Sequence, residues 1–177
     1  ISSFMSINND PISQFIIIDN SCEKDALSNL KNIVPVNSKI IINEENIGQV
    51  ASIDLAYSFV KTPYIFHMED DWKFFSPDNK EKENFIEQSR YLLENHPAIM
   101  NVNIRCRNDG TKGSEHPISR LYLDKYNFYT YLPNYCGVYH GFSWNPGLRR
   151  LKDYEKIGNF KQYGSEEGMN AVYYNLG

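Results

Sequence analysis

Residues 64–72 read Tyr64-Ile65-Phe66-His67-Met68-Glu69-Asp70-Asp71-Trp72. The first five have the aromatic and β-branched bias of a buried strand, so a strand is expected over 64–68 with three acids at its carboxyl end. On the amino-terminal side, Thr62-Pro63 closes a pattern in which Ile47, Val50, Ile53, Tyr57 and Val60 recur at helical spacing, which predicts a helix over 47–60. Further back, Ile40-Ile41-Ile42 marks a strand over 39–42, and a short helix over 25–33 is closed by Pro35. Phe15-Ile16-Ile17-Ile18 is a first strand that runs into the polar loop Asp19-Asn20-Ser21. On the other side, Ser76-Pro77 signals a helix start, and Phe85, Ile86, Ser89, Leu92 and Leu93 share one face of a helix that stops before Pro97. A strand over 98–104 follows. Strand and helix alternating over short connections predict an α/β fold, a mainly parallel sheet flanked by helices on both faces. Right-handed crossovers would then place Asp19 and Asp71 on the same carboxyl-end rim.

Beyond residue 104 the rhythm breaks. Residues 105–134 lack a clean period and are read as a long loop with an edge hairpin. A strand is expected within 135–144, and Asn145-Pro146-Gly147 is expected to cap a helix over 148–157 that ends at Gly158-Asn159. Gly164-Ser165-Glu166-Glu167-Gly168 then leads into a last helix near Met169. No repeat or linker divides residues 1–177, so one domain is expected. Ile1 to Ile12 is read as the end of a helix whose preceding strand lies outside the chain, which makes the chain a fragment.

The 177 residues are 41% hydrophobic and 23% charged, proportions of a globular domain that exclude wholesale disorder. Eighteen basic against 22 acidic residues give a formal net charge of −4, so the basic face that nucleic acids require is missing. No apolar run approaches the roughly 18 residues of a membrane span. A chain without transmembrane segment is therefore expected, and with it a cytoplasmic location. Cys22, Cys106 and Cys136 are widely spaced and form no CxxC pair, which argues against a disulfide scaffold or a zinc knuckle.

Three successive carboxylates repel one another unless a cation sits among them. Alternation along a strand would turn Glu69 and Asp71 to one face and Asp70 to the other. A few hard oxygen ligands suit Mg²⁺ or Mn²⁺, which keep coordination positions open for substrate phosphates. The crevice beyond strand carboxyl ends is where open α/β sheets bind ligands. A solvated acidic loop is the competing reading.

The triplet has company. Phe15-Ile16-Ile17-Ile18-Asp19-Asn20-Ser21, then Asn46-Ile47-Gly48 opening a helix, then Tyr64 to Asp71 resembles nucleotide-sugar-dependent glycosyltransferases of the GT-A fold, in particular the large inverting group that includes bacterial polysaccharide synthases. His96-Pro97, Phe142-Ser143-Trp144-Asn145-Pro146 and Ser165-Glu166-Glu167 follow in that family's order. The resemblance implies that Asp19 holds the base or ribose of the nucleotide, the competing reading being a loop cap. Glu69 and Asp71 match the outer positions of the family's DxD motif, Glu69 touching the ribose and Asp71 binding the Mn²⁺ or Mg²⁺ that bridges the diphosphate. Glu167 matches the general base, with Glu166 taking that role if the register differs by one. Two departures stand out: Glu69 replaces an Asp, and Ile53-Asp54 occupies the place of an Arg-Asn pair in the following helix.

The implied activity is transfer of a sugar from a nucleoside-diphosphate-sugar donor to the hydroxyl of a glycan or other acceptor, with inversion and metal assistance. A non-catalytic sugar-nucleotide or glycan-binding module is the alternative, since fold alone does not establish activity. A nucleotidyltransferase would want a Gly-rich phosphate loop, which is not visible. His67 is read either as a core histidine or as a group near the phosphates, and Trp72 either as core or as a floor for a sugar. Arg149-Arg150, expected to begin a helix, is read as a solvated helix face, with reach to a phosphate as the other reading.

Overall fold

The two isoleucine triplets pair with each other. In the computed structural model, which describes residues 1–23, 25–75, 82–104, 118–122, 125–126, 128–131 and 142–176, β1 (Phe15–Asp19) and β2 (Ser38–Ile42) run parallel with Ile17 opposite Ile40. α1 (Ser2–Ile7) precedes β1, and α2 (Ala26–Lys31) forms the crossover to β2. α3 (Gln49–Ser58) starts at Gly48, whose φ of +83° lies in the left-handed region that glycine adopts without a Cβ clash. It leads to β3 (Tyr64–His67), then α4 (Phe85–Asn95) and β4 (Asn101–Asn103). α4 buries Phe85, Ser89, Leu92 and Leu93, four of the five residues expected on its inward face.

The expectation of a mainly parallel sheet is not borne out. β7 (Gly147–Arg150) lies between β3 and β4 and runs antiparallel to both, so the described sheets are a parallel pair, an antiparallel triplet and the hairpin of β5 (Ile118–Tyr122) and β6 (Phe128–Tyr131). The architecture is mixed α/β. β7 occupies residues expected to open a helix, and that helix, α5 (Leu151–Ile157), begins only at Leu151. Gly147-Leu148-Arg149-Arg150 has no β-branched residue, so tertiary partners rather than local preference make it a strand.

Those partners are explicit. A Cβ on Gly147 would lie 2.6 Å from the Val102 carbonyl oxygen, so only glycine lets β4 approach this closely. Arg149 and Arg150 are 2% and 6% exposed, which overturns their reading as a solvated face. Arg149 donates from Nε to Asn101 Oδ1 at 3.0 Å, from Nη1 to the Tyr57 hydroxyl at 2.9 Å, and from Nη2 to the Ser143 carbonyl. Arg150 donates from Nη2 to the carbonyls of Leu93 at 2.6 Å and Ile99 at 2.8 Å and pairs with Asp153 through Nη1. Buried guanidinium groups are tolerated only with their donors engaged in this way.

Two apolar clusters hold the elements together. Ile53 and Tyr57 of α3, Ile65 of β3, Phe142, Trp144, Phe160 and Met169 form one. Phe4 of α1, Phe15 of β1 and Phe85 of α4 form the other, with Phe66 of β3 packed against it. Neighbouring residues of a strand point to opposite faces, so Ile65 and Phe66 place the clusters on opposite sides of β3. Asp54 of α3, at the position of the family's departure, accepts from the amides of Phe160 at 2.8 Å and Lys161 at 2.9 Å and from the Tyr154 hydroxyl at 3.0 Å. It thereby caps the 3-10 turn Phe160–Tyr163, which leads into α6 (Glu166–Leu176). Among the described residues, no helix is long and apolar enough to cross a membrane.

Candidate active site

The end of β1 is organised by side-chain amides. Asp19 Oδ1 accepts from the Ser21 amide at 2.8 Å and the Ser21 hydroxyl at 2.6 Å, a turn that aspartate forms readily after a strand. Asn20 Oδ1 accepts from Asn43 Nδ2 and from the Ile47 amide, both at 3.0 Å, and Asn20 Nδ2 donates to Asn46 Oδ1 at 2.6 Å. Asn46 Oδ1 also accepts from the Gly48 amide at 2.9 Å. The first residue of α3 then crosses to the acidic loop, where Gln49 Nε2 donates to Glu69 Oε1 at 2.5 Å. The polar chain Asn20, Asn46, Gly48, Gln49 and Glu69 thus connects the carboxyl end of β1 to that of β3.

β3 ends at His67, two residues before the acids, and Asp70 and Asp71 stand in a turn. Strand alternation therefore does not govern where the three carboxylates point. Glu69 is half-buried, whereas Asp70 and Asp71 are exposed. Burial raises the Glu69 carboxyl pKa, and the charges of Asp71, Asp70 and Glu166 push it the same way against the opposing hydrogen bond from Gln49. Glu166, remote in sequence, is therefore close enough to act on the same carboxylate.

Glu166 opens α6. Its Oε1 accepts from the Trp144 amide at 2.8 Å, and Asn170 one turn later accepts from the Phe142 amide at 3.0 Å, so α6 is fastened to the segment before β7 by two side chains. Ser165 Oγ accepts from the Gly168 amide at 3.2 Å, the hydrogen bond of a helix amino-terminal cap. A Cβ on Gly168 would lie 2.1 Å from the Tyr163 carbonyl oxygen, which ties the start of α6 against the preceding turn. Glu167 is exposed in the first turn of α6.

His67 belongs to the core beneath this rim. Its ring lies 6.0 Å from those of Tyr57 and Trp144, its buried Nε2 has no partner among the described residues, and burial, with the neighbouring Arg149 cation, lowers its pKa to about 3. A neutral imidazole packed on aromatic rings is the first of the two readings offered by the sequence.

The structure thus brings Glu69, Asp70, Asp71 and Glu166 into one electrostatic neighbourhood. Asp19, Glu69 and Asp70 also line a cavity of about 1480 Å³ between β1 and β3. Among the described residues, no three His, Cys, Asp or Glu side chains converge into a ready-made metal site. Mg²⁺ and Mn²⁺ do not require one, because they are commonly held by one or two carboxylates and completed by water and phosphate oxygens. The donor set is all hard oxygen, and the repulsion among the carboxylates, which adds to burial in raising the Glu69 pKa, is what a divalent cation would relieve. Sequence reasoning missed Gln49, Asn43 and the Trp144 amide; the density of asparagine in the two loops, Asn20, Asn43 and Asn46, is the signal that points to their tie.

Compared with known protein families, curated proteins and solved structures, the chain matches none of them.

Proposed function

We propose that the chain is the catalytic domain of a metal-dependent glycosyltransferase that uses a nucleoside-diphosphate-sugar donor and inverts the anomeric centre. One observation supports this reading above the others: Asp19 at the end of β1 and Glu69 and Asp70 beyond β3 line one cavity, and Gln49 ties Glu69 to the polar chain that leads back to β1. In this proposal Asp71, with Glu69 beside it, holds Mn²⁺ or Mg²⁺ against the donor diphosphate, and Asp19 and Glu69 meet the nucleoside. The cation would offset the negative charge that gathers on the departing nucleoside diphosphate.

Glu167 takes the proton of the acceptor hydroxyl during attack. It stands exposed in the first turn of α6, open to an acceptor arriving from solvent. Glu166 holds the α6 start against Trp144 and is a positioning residue in this scheme. The acceptor is a glycan or another hydroxyl compound, and a cytoplasmic location fits the supply of nucleotide sugars.

The test is a screen of nucleotide sugars, with and without Mn²⁺, for release of nucleoside diphosphate. Metal-dependent release from at least one donor supports the proposal. Metal-dependent binding without any release over the whole screen favours the non-catalytic binding module.

A further inference from the structure

Gln49 is an exposed side chain on a backbone that is fixed from both directions. It is the first residue of α3, and the two residues before it are held from the loops beyond β1 and β2: the Ile47 amide donates to Asn20 Oδ1 at 3.0 Å and the Gly48 amide to Asn46 Oδ1 at 2.9 Å. On the helix side, the Gly48 carbonyl accepts from the Ser52 amide at 3.1 Å and from the Ser52 hydroxyl at 2.8 Å. Ile53 and Tyr57 seat the rest of α3 in the core. Glu69 also follows an anchored residue, Met68, which packs against the second apolar cluster. Between these two anchored segments, Gln49 Nε2 donates to Glu69 Oε1 at 2.5 Å.

The kind of donor matters here. Asp70 and Asp71 follow Glu69 directly, and with Glu166 they act on its carboxylate as like charges. A flexible acid side chain in that company is pushed away from its neighbours unless something holds it. Among the described residues Glu69 forms no ion pair, and Gln49 is the donor it has, so Oε1 is engaged and Oε2 is not. A carboxamide carries no charge, so it fixes the carboxylate without neutralising it. An ammonium in the same place would hold Glu69 equally well and cancel the charge that a metal ion needs. Carboxylates that bind metals are commonly oriented by a hydrogen bond from a group that does not itself touch the ion.

We infer that Gln49 is a positioning residue for the cation site: its side-chain amide occupies Glu69 Oε1 and holds the carboxylate in place, leaving Oε2 available to a divalent cation bound at Asp71. This inference rests on the reading of this end of the molecule as a cation-assisted nucleoside-diphosphate site. Gln49 itself does not touch the cation and acts through Glu69. Because its backbone is fixed by Asn20 and Asn46, the loops beyond β1 and β2 set the position of an acid beyond β3. The neutrality of the donor separates this role from that of a simple tie between α3 and the acidic loop, which any donor of similar reach would serve.

The experiment measures Mn²⁺ affinity from the paramagnetic resonance signal of the free ion, without nucleotide and with uridine or guanosine diphosphate. The parent chain is compared with Gln49→Leu, Gln49→Lys, Glu69→Gln and the double variant Gln49→Leu/Glu69→Gln, with urea midpoints as the check that each is folded. Gln49→Leu should weaken Mn²⁺ binding by roughly 10–100-fold, the usual cost of removing a group that orients a metal ligand. Gln49→Lys, which restores a donor but adds a charge, should bind Mn²⁺ no better than Gln49→Leu. In the Glu69→Gln background, Gln49→Leu should cause no further loss, since the two residues act as one unit. Parent affinity in Gln49→Leu, recovery of affinity in Gln49→Lys, or an undiminished effect of Gln49→Leu in the Glu69→Gln background would each overturn the positioning role while leaving the cation site standing. A parent chain that binds no Mn²⁺ under any of these conditions would overturn the proposed site and this inference with it.

Discussion

Glu69 is a residue whose environment works against its own charge. Its carboxyl pKa is raised by burial and by the charges of Asp71, Asp70 and Glu166, so the stability it contributes is present when it is protonated and is lost as pH rises through the folded-state value. At neutral pH the ionised group is therefore a destabilising presence. Glu69→Gln keeps an acceptor for Gln49 and removes the charge. The expected outcome is a higher urea midpoint than the parent at pH 7 together with weaker metal-dependent binding of a nucleoside diphosphate, the opposed effects characteristic of a functional carboxylate. His67 behaves in the opposite sense. Its folded pKa of about 3 lies below the ordinary 6.5, so the unfolded chain takes up a proton that the folded one refuses, and stability falls as pH drops from about 6.5 toward 3. The loss is on the order of a few kcal/mol. Urea unfolding across that range should show this decline in the parent and a shallower one in His67→Phe. In the proposed reaction, Glu167→Gln should cut transfer by roughly 10²–10⁴-fold with little change in donor affinity, the usual worth of a general base. Should Glu166→Gln alone abolish turnover, the roles of the two glutamates are exchanged; should neither matter, no carboxylate at the start of α6 is the base.

Among the elements, the joint between the 3-10 turn and α6 decides where Glu166 and Glu167 stand. Gly168→Ala would drive a Cβ into the Tyr163 carbonyl, a backbone atom that has little room to yield. It should destabilise the chain by about 1–3 kcal/mol, as overpacking does, measured by chemical unfolding. This joint and the strands were unequally legible in the sequence. Ile16-Ile17-Ile18 and Ile40-Ile41-Ile42 announce strands because their residues suit a pleated, buried surface, and α3 and α4 announce themselves by period. β7 does not, because Gly147, Arg149 and Arg150 are held in the sheet by Val102, Asn101, Tyr57, Ser143, Leu93 and Ile99, all distant in sequence from them or hidden from any local pattern. That one strand turns an expected parallel sheet into a mixed one. Asp54 was equally opaque: read as a mismatch within a helix, it is the buried cap that seats Phe160 and Lys161. The strand expected over 135–144 lies largely outside the described residues, as does the Ser76-Pro77 helix start.

For the whole molecule, the arrangement of the strands brings to one end what the sequence scatters over residues 19 to 166. β1 delivers Asp19, α3 delivers Gln49, β3 delivers Glu69 and the turn of Asp70 and Asp71, and α6 returns Glu166 to them. The acidic triplet was legible as chemistry because of its density and its place after an apolar run. Its connection to Glu166 was not, since it depends on the Trp144 amide and on the packing of α6. The central claim is that this end binds a nucleoside diphosphate through a divalent cation held at Asp71. The most direct measurement is calorimetric titration of the chain with uridine and guanosine diphosphate, each with Mn²⁺ and with a chelator, repeated on Asp71→Asn. The account predicts binding of at least one of them that requires Mn²⁺ and is weakened at least about tenfold by Asp71→Asn, which keeps the shape of the side chain and removes a charged ligand. Equal affinity in parent and variant, or affinity indifferent to Mn²⁺, would contradict it.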